Sequence, residues 1–243
     1  MSEALVGTAV LLAYYVVTLF LVPLALRAFT TLPSEVARKF QHVAHALSIF
    51  LLLGLFQHWY VAVGAAFLLV LIAYPVLASW ERYPSYRRLL TDRTARGGEL
   101  RRQMLYVQVA YALLIAVFWG GLGEGGRPLI AAAVMVWGFG DAAAALIGRF
   151  VGRRRIVHPG IDGPKTVEGT AAMIVVAVAA AFATLFWYGG QTWWVSLAAA
   201  SVVGPLAGVV ELFSRRGLDT LTVPLITAVV LLPWLLVTAA FGW

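Results

Sequence analysis

The sequence contains no cysteine, which excludes a disulfide framework, thiolate metal sites and a cysteine nucleophile. Charge is scarce as well. Only 12% of the 243 residues are Asp, Glu, Lys or Arg, against roughly 25% in soluble domains. Hydrophobic residues make up 62% of the chain. A water-soluble core of this length cannot hide so much apolar surface, so lipid is expected to be the solvent for most of it. There is no internal repeat and no low-complexity tract. Residues 81–103 form the one substantial hydrophilic stretch, which is too short for a separate domain. A single transmembrane domain over residues 1–243 is therefore expected. The first apolar run, Leu5 to Leu26, lacks a basic leader and is long enough to span, so it reads as a transmembrane helix and not as a signal peptide.

A helix needs about 20 mainly apolar residues to cross the hydrocarbon. Eight runs qualify: 5–26, 36–56, 58–79, 104–121, 128–150, 168–189, 192–212 and 220–241. The expected fold is all-α, a polytopic integral membrane protein of about eight transmembrane helices. Trp59, Trp80, Trp119, Trp187, Trp193 and Trp194 fall near the run ends, where interfacial aromatics belong.

The basic residues sort by connection. Arg27, Arg38 and Lys39 follow the first run, and Arg82, Arg87, Arg88, Arg93, Arg96, Arg101 and Arg102 follow the third. Arg149, Arg153, Arg154, Arg155 and Lys165 follow the fifth, and Arg215 and Arg216 follow the seventh. Of the 18 Lys and Arg residues, all but Arg127 lie on these alternate connections. The positive-inside rule then puts those connections in the cytoplasm and both termini outside. A formal charge of +7 invites a nucleic-acid reading. The cations interrupt apolar spans and form no continuous soluble surface, so topology accounts for them better. Glu35, Asp141, Asp162, Glu168, Glu211 and Asp219 are sorted to the same side, which places any chemistry at the cytoplasmic interface.

Four clusters carry potential chemistry. The first opens the second run. Glu35, Arg38, Lys39 and His42 share one helical face, behind Ser34 as a plausible N-cap. A plain cytoplasmic anchor with a Glu35–Lys39 pair is the alternative. His42 and His45 are too few ligands for a metal site. The second cluster ends the fifth run. Gly140, Ala144 and Gly148 form a small-residue stripe suited to close helix packing. Asp141 lies about two turns inside the apolar segment, where a carboxylate needs a partner, a cavity or a cation. The third cluster runs from Gly160 through Asp162, Gly163, Lys165, Thr166, Glu168 and Gly169 to Thr170. Glycines, a helix N-terminus and the cations Lys165, Arg153, Arg154 and Arg155 make a good anion site, although the spacing is not that of a Walker A loop. An ordinary glycine turn with positive-inside arginines remains the alternative. The fourth is Glu211 with Asp219, two carboxylates that suit Mg²⁺ together with substrate phosphates, or simply cap helix ends.

Together these clusters resemble the phytol kinase/dolichol kinase family of membrane CTP-dependent lipid kinases. The likeness rests on Glu35-x-x-Arg38-Lys39-x-x-His42, on Gly140-Asp141 with Gly148-Arg149, on Lys165-Thr166-x-Glu168-Gly169-Thr170, and on Glu211 with Asp219-x-Leu221-x-x-Pro224. The third block is the most specific, and related CTP:phosphatidate cytidylyltransferases share much of it. Thr220 departs from the asparagine expected after the aspartate. The resemblance implies transfer of the γ-phosphate of CTP to the hydroxyl of an isoprenoid or similar lipid alcohol. It implies Asp141, Lys165, Glu168 and His42 as catalytic residues, and Mg²⁺ near Asp141, Glu211 and Asp219. Substrate contacts would come from Arg38, Lys39, Arg153, Arg154, Arg155, Gly163, Thr166 and Gly169. Nucleotide, lipid alcohol and the bilayer are the expected partners, with homo-oligomers possible and nucleic acid excluded. Composition points to a prokaryotic plasma membrane. The rival readings are a cytidylyltransferase forming a CDP-lipid and, more remotely, a transporter, for which paired repeats and midplane charge are lacking.

Overall fold

With no water in the bilayer to take up backbone N–H and C=O groups, an apolar chain satisfies them by winding into helix. The computed structural model describes residues 3–29, 33–80, 82, 98–214 and 217–241, and these are all-α apart from one two-stranded ribbon. Arg87, Arg88, Arg93, Arg96, Arg215 and Arg216 lie outside the described residues. The chain divides into two units, Met1–Leu113 and Leu114–Trp243.

In the first unit, α1 (Glu3–Tyr15) continues through a π-helical stretch, Val16–Leu21, into α2 (Val22–Phe29). It is followed by α3 (Ser34–Gly54), α4 (Trp59–Trp80) and α5 (Glu99–Leu114). Gly7 on α1 lies against the Phe56 ring, where a Cβ would come within 2.8 Å of Cε1. Leu77 of α4 and Met104 of α5 are buried in one cluster, and Arg101 lies over the Tyr74 ring at 5.1 Å.

The second unit holds α6 (Arg127–Phe150), α7 (Val167–Ala183), α8 (Trp193–Phe213) and α9 (Asp219–Phe241). Between α6 and α7 lies a short antiparallel ribbon, β1 (Arg155–Ile156) and β2 (Lys165–Thr166), in register Arg155↔Thr166. Two-residue strands leave no alternation for sequence periodicity to detect. The small-residue stripe on α6 does the expected work. A Cβ on Gly140 would sit 2.5 Å from Met173 Sδ, and one on Gly169 would sit 2.8 Å from the Ala144 carbonyl. α7 and α8 approach as closely, since a Cβ on Gly204 would meet Val178 N at 3.0 Å and one on Gly208 would meet Ile174 Cγ1 at 2.6 Å. Small residues at such contacts let backbones draw together where no hydrophobic effect drives helix association.

Among the described residues five helical stretches are long and apolar enough to cross a membrane: Trp59–Trp80, Arg101–Phe150, Val167–Tyr188, Trp193–Phe213 and Asp219–Val237. The second has 50 residues, about 75 Å at 1.5 Å per residue, more than twice the hydrocarbon thickness. It covers both the fourth and fifth apolar runs. A glycine turn breaks it, with Gly123 at φ 64° and Gly126 so close to the Phe118 carbonyl that a Cβ would lie 2.2 Å away. Here Arg127 sits over the Trp119 ring at 4.0 Å and pairs with Glu124 at 2.8 Å, while Trp119 Nε1 donates to Glu124 Oε1 at 3.1 Å. The one cation that the alternating pattern leaves out is thus paired with an acid. The first two runs are helical too, but α3 opens on Glu35, Arg38 and Lys39 and is less apolar.

Candidate functional site

The ribbon positions the densest group of expected site residues. Gly148 N-terminal to it and Gly152 beside it leave room for Thr166: a Cβ on Gly152 would lie 2.7 Å from Thr166 Oγ1. Thr166 ends β2 in extended backbone and caps α7, its Oγ1 accepting the Gly169 N–H at 3.1 Å. Glu168 in the first turn accepts the Arg154 backbone N–H at 3.2 and 3.3 Å, and Val167 N–H donates to the Arg154 carbonyl at 2.9 Å. Glu168 therefore fastens the arginine-bearing strand to the start of α7, where a carboxylate also meets the positive end of the helix dipole. Arg153, Arg154 and Arg155 are exposed, and Gly163 takes φ 76° in the exposed turn between the strands.

Lys165 turns the other way. Its ammonium forms an ion pair with the Glu211 carboxylate and lies 3.5 Å from the Glu211 carbonyl, tying β2 to the last turn of α8. The lysine side chain is 26% exposed and the glutamate side chain 4%. A pair so placed is a cation held partly in reach of solvent by an acid that is not. Asp141 is buried on α6, and Asp219 is the first residue of α9 at intermediate exposure. Thr220, the departure from the family pattern, is buried beside it.

Among the described residues no three His, Asp or Glu side chains converge as a closed metal cage. Mg²⁺ needs only one or two carboxylates beside substrate phosphates, so the buried acids Asp141 and Glu211 fit that donor chemistry.

The first unit carries its own polar cluster. Glu35, Lys39 and His42 are buried at the start of α3, and Arg38 pairs with Glu35. This is not a solvated anchoring face. His42 Nδ1 lies 2.7 Å from Gln103 Nε2 on α5. About one helical turn into the fourth apolar run, Gln108 Nε2 bonds both Tyr15 OH and His45 Nε2 at 3.0 Å. Tyr15 OH meets Ser48 Oγ at 2.6 Å, and Ser48 Oγ and Tyr111 OH donate to the His45 carbonyl at 2.6 and 2.8 Å. His45 is thus a member of a buried network joining α1, α3 and α5. Sequence reasoning missed Gln103 and Gln108. An amide inside the fourth apolar run was the available signal, since buried polar groups in lipid demand partners.

No protein-family model matches the chain, and no solved structure matches it. Among curated proteins, the chain is 30% identical over 204 residues to a phytol kinase from Synechocystis sp., covering 82% of this chain and 78% of that protein. At that identity and coverage, with the Lys165-to-Gly169 block folded as a capped ribbon, the chain belongs to the phytol kinase family of membrane phosphotransferases.

Proposed function

We propose that this protein is a CTP-dependent lipid kinase, transferring the γ-phosphoryl group to the hydroxyl of an isoprenoid or similar lipid alcohol. The observation that carries the reading is the Lys165–Glu211 ion pair on a ribbon edged with Arg153, Arg154 and Arg155. Phosphoryl transfer asks the protein mainly for positioning and charge neutralisation. Lys165, held by Glu211, meets the triphosphate as a fixed cation, and the three arginines draw the nucleotide from water. Thr166, Gly163 and Gly169 shape the backbone around it, and Glu168 holds the backbone at Arg154, just ahead of β1. Asp141, Glu211 and Asp219 would hold Mg²⁺, which would supply further neutralisation of the phosphate charge. Arg38 and Lys39 as phosphate contacts, and His42 as acceptor of the hydroxyl proton, rest on the family resemblance alone.

In this reading the chain crosses the membrane eight times with both termini outside, as the sorting of Lys and Arg supports. The ribbon then faces the cytoplasm of a prokaryotic cell. A lipid alcohol reaches it sideways from the bilayer while the nucleotide arrives from solution. Purified protein in lipid vesicles, supplied with CTP or ATP and with prenols, diacylglycerol or phosphatidate, tests this by mass spectrometry of the lipid products. A prenyl monophosphate formed with CTP is the expected product. A CDP-lipid formed from phosphatidate instead makes the protein a cytidylyltransferase.

A further inference from the structure

The turn between β1 and β2 holds a histidine that neither the motif pattern nor the roles above employ. His158 Nδ1 accepts the Gly160 backbone N–H at 3.0 Å. An imidazole that accepts at Nδ1 carries its proton on Nε2 and is a donor there. The ring stands edge-on to Phe213, with centroids 5.7 Å apart and planes at 90°. Phe213 lies two residues beyond Glu211, so the last turn of α8 receives both the Lys165 ammonium and the His158 ring. Gly160 completes the fit. A Cβ there would lie 3.1 Å from His158 Nδ1 and 3.4 Å from Phe213 Cδ1, so any side chain at 160 would crowd the ring.

The ring is therefore held on two sides, while the residue as a whole is exposed. Among the described residues Nε2 has no hydrogen-bond partner. A donor fixed this firmly and left open is suited to an acceptor that arrives from solution. With the Nδ1 lone pair already engaged, the ring cannot ligate a metal without giving up the Gly160 bond. Arg155 and Lys165 lie on the ribbon that this turn closes, and Arg153 and Arg154 precede it in the chain, a run of cations that favours an anion over a neutral acceptor.

We propose that His158 is a phosphate-binding residue, donating from Nε2 to an oxygen of the nucleotide triphosphate. The proposal rests on the reading of the ribbon as a nucleotide site, and it adds a contact that this reading does not contain.

Two substitutions separate the two ring nitrogens. His158→Asn keeps an acceptor near the Nδ1 position and removes the Nε2 donor. His158→Gln places an amide donor near the Nε2 position and removes the acceptor for Gly160. CTP and inorganic tripolyphosphate are titrated into the full-length protein in vesicles, and phosphoryl transfer to a prenol is followed in parallel. The expected result is affinity about tenfold weaker for both ligands in His158→Asn, with His158→Gln close to wild type. Nitrogen NMR of the labelled imidazole should show the Nε2 resonance moving on addition of tripolyphosphate. Wild-type affinity in His158→Asn, or a still Nε2 resonance, overturns the proposal while leaving a transferring enzyme intact. Wild-type protein that binds neither ligand overturns the nucleotide reading and this contact with it.

Discussion

Lys165 and Glu211, 46 residues apart in the chain, meet as an ion pair that joins β2 to the end of α8. Neither residue is where an isolated surface pair would be. The acid is buried and the base half-buried, so the two are coupled, and removing either takes a counter-charge away from the other. Lys165→Ala and Glu211→Gln should each lower the phosphoryl-transfer rate by about 10²–10³-fold. The double variant should be little worse than the single ones, because the two side chains act as a unit. A double-mutant cycle on single-turnover transfer checks this, and strict additivity would break the coupling.

Asp141 has a different setting. It is buried within α6, where an acid must be compensated. Asp141→Asn is nearly isosteric, so it should still insert into the membrane while transfer is abolished. Thermal unfolding in detergent alongside the activity assay reads both. Full activity in this variant would remove Asp141 from the site.

Thr166 is a helix cap whose Oγ1 accepts the Gly169 N–H at 3.1 Å. Thr166→Ala should cost about 1 kcal/mol of stability. Thr166→Ser, which keeps the acceptor, should recover most of it. Denaturation midpoints of the two variants give the comparison.

Gly169 and Gly140 lie where α6 and α7 touch. Gly169→Ala puts a Cβ 2.8 Å from the Ala144 backbone oxygen, which has nowhere to go. Overpacking of this kind costs about 1–3 kcal/mol. Gly140→Ala instead meets Met173 Sδ at 2.5 Å, and methionine is flexible enough to repack. The alanine at 169 should therefore be the more damaging of the two, as measured by melting temperature.

At the opposite end of α6, Glu124 pairs with Arg127 at 2.8 Å, but its side chain is 68% exposed. Glu124→Gln should cost less than about 1 kcal/mol. Trp119→Ala, by contrast, removes a buried ring from beneath Arg127 and should cost about 3–5 kcal/mol.

Much of this was legible in the sequence because lipid imposes strict rules. Apolar runs had to be helical, and the runs at 58–79, 168–189, 192–212 and 220–241 fall on α4, on α7 with its π-helical extension to Tyr188, on α8 and on α9. The stripe Gly140, Ala144, Gly148 announced close packing, and Met173, Thr166 and Gly169 are what it packs against. Less legible was anything that depends on two distant segments meeting. No spacing rule links Lys165 to Glu211, or His158 to Phe213. The ribbon itself was hidden because its strands are two residues long and its hydrogen bonds are backbone bonds, which any side chain can accompany. The network around Gln108 was hidden for another reason. An amide inside an apolar run gives no hint of its partners from spacing alone, although lipid requires it to be paired, here with Tyr15 and His45.

Parallel reactions with CTP labelled at the α- or the γ-phosphorus, on wild-type protein and a prenol acceptor, test the central claim most directly. The account predicts that the γ-label appears in the lipid, the α-label stays in soluble CDP, and the γ-transfer disappears in Lys165→Ala. Recovery of the α-label in lipid with the γ-label in pyrophosphate, or undiminished γ-transfer by Lys165→Ala, would contradict it.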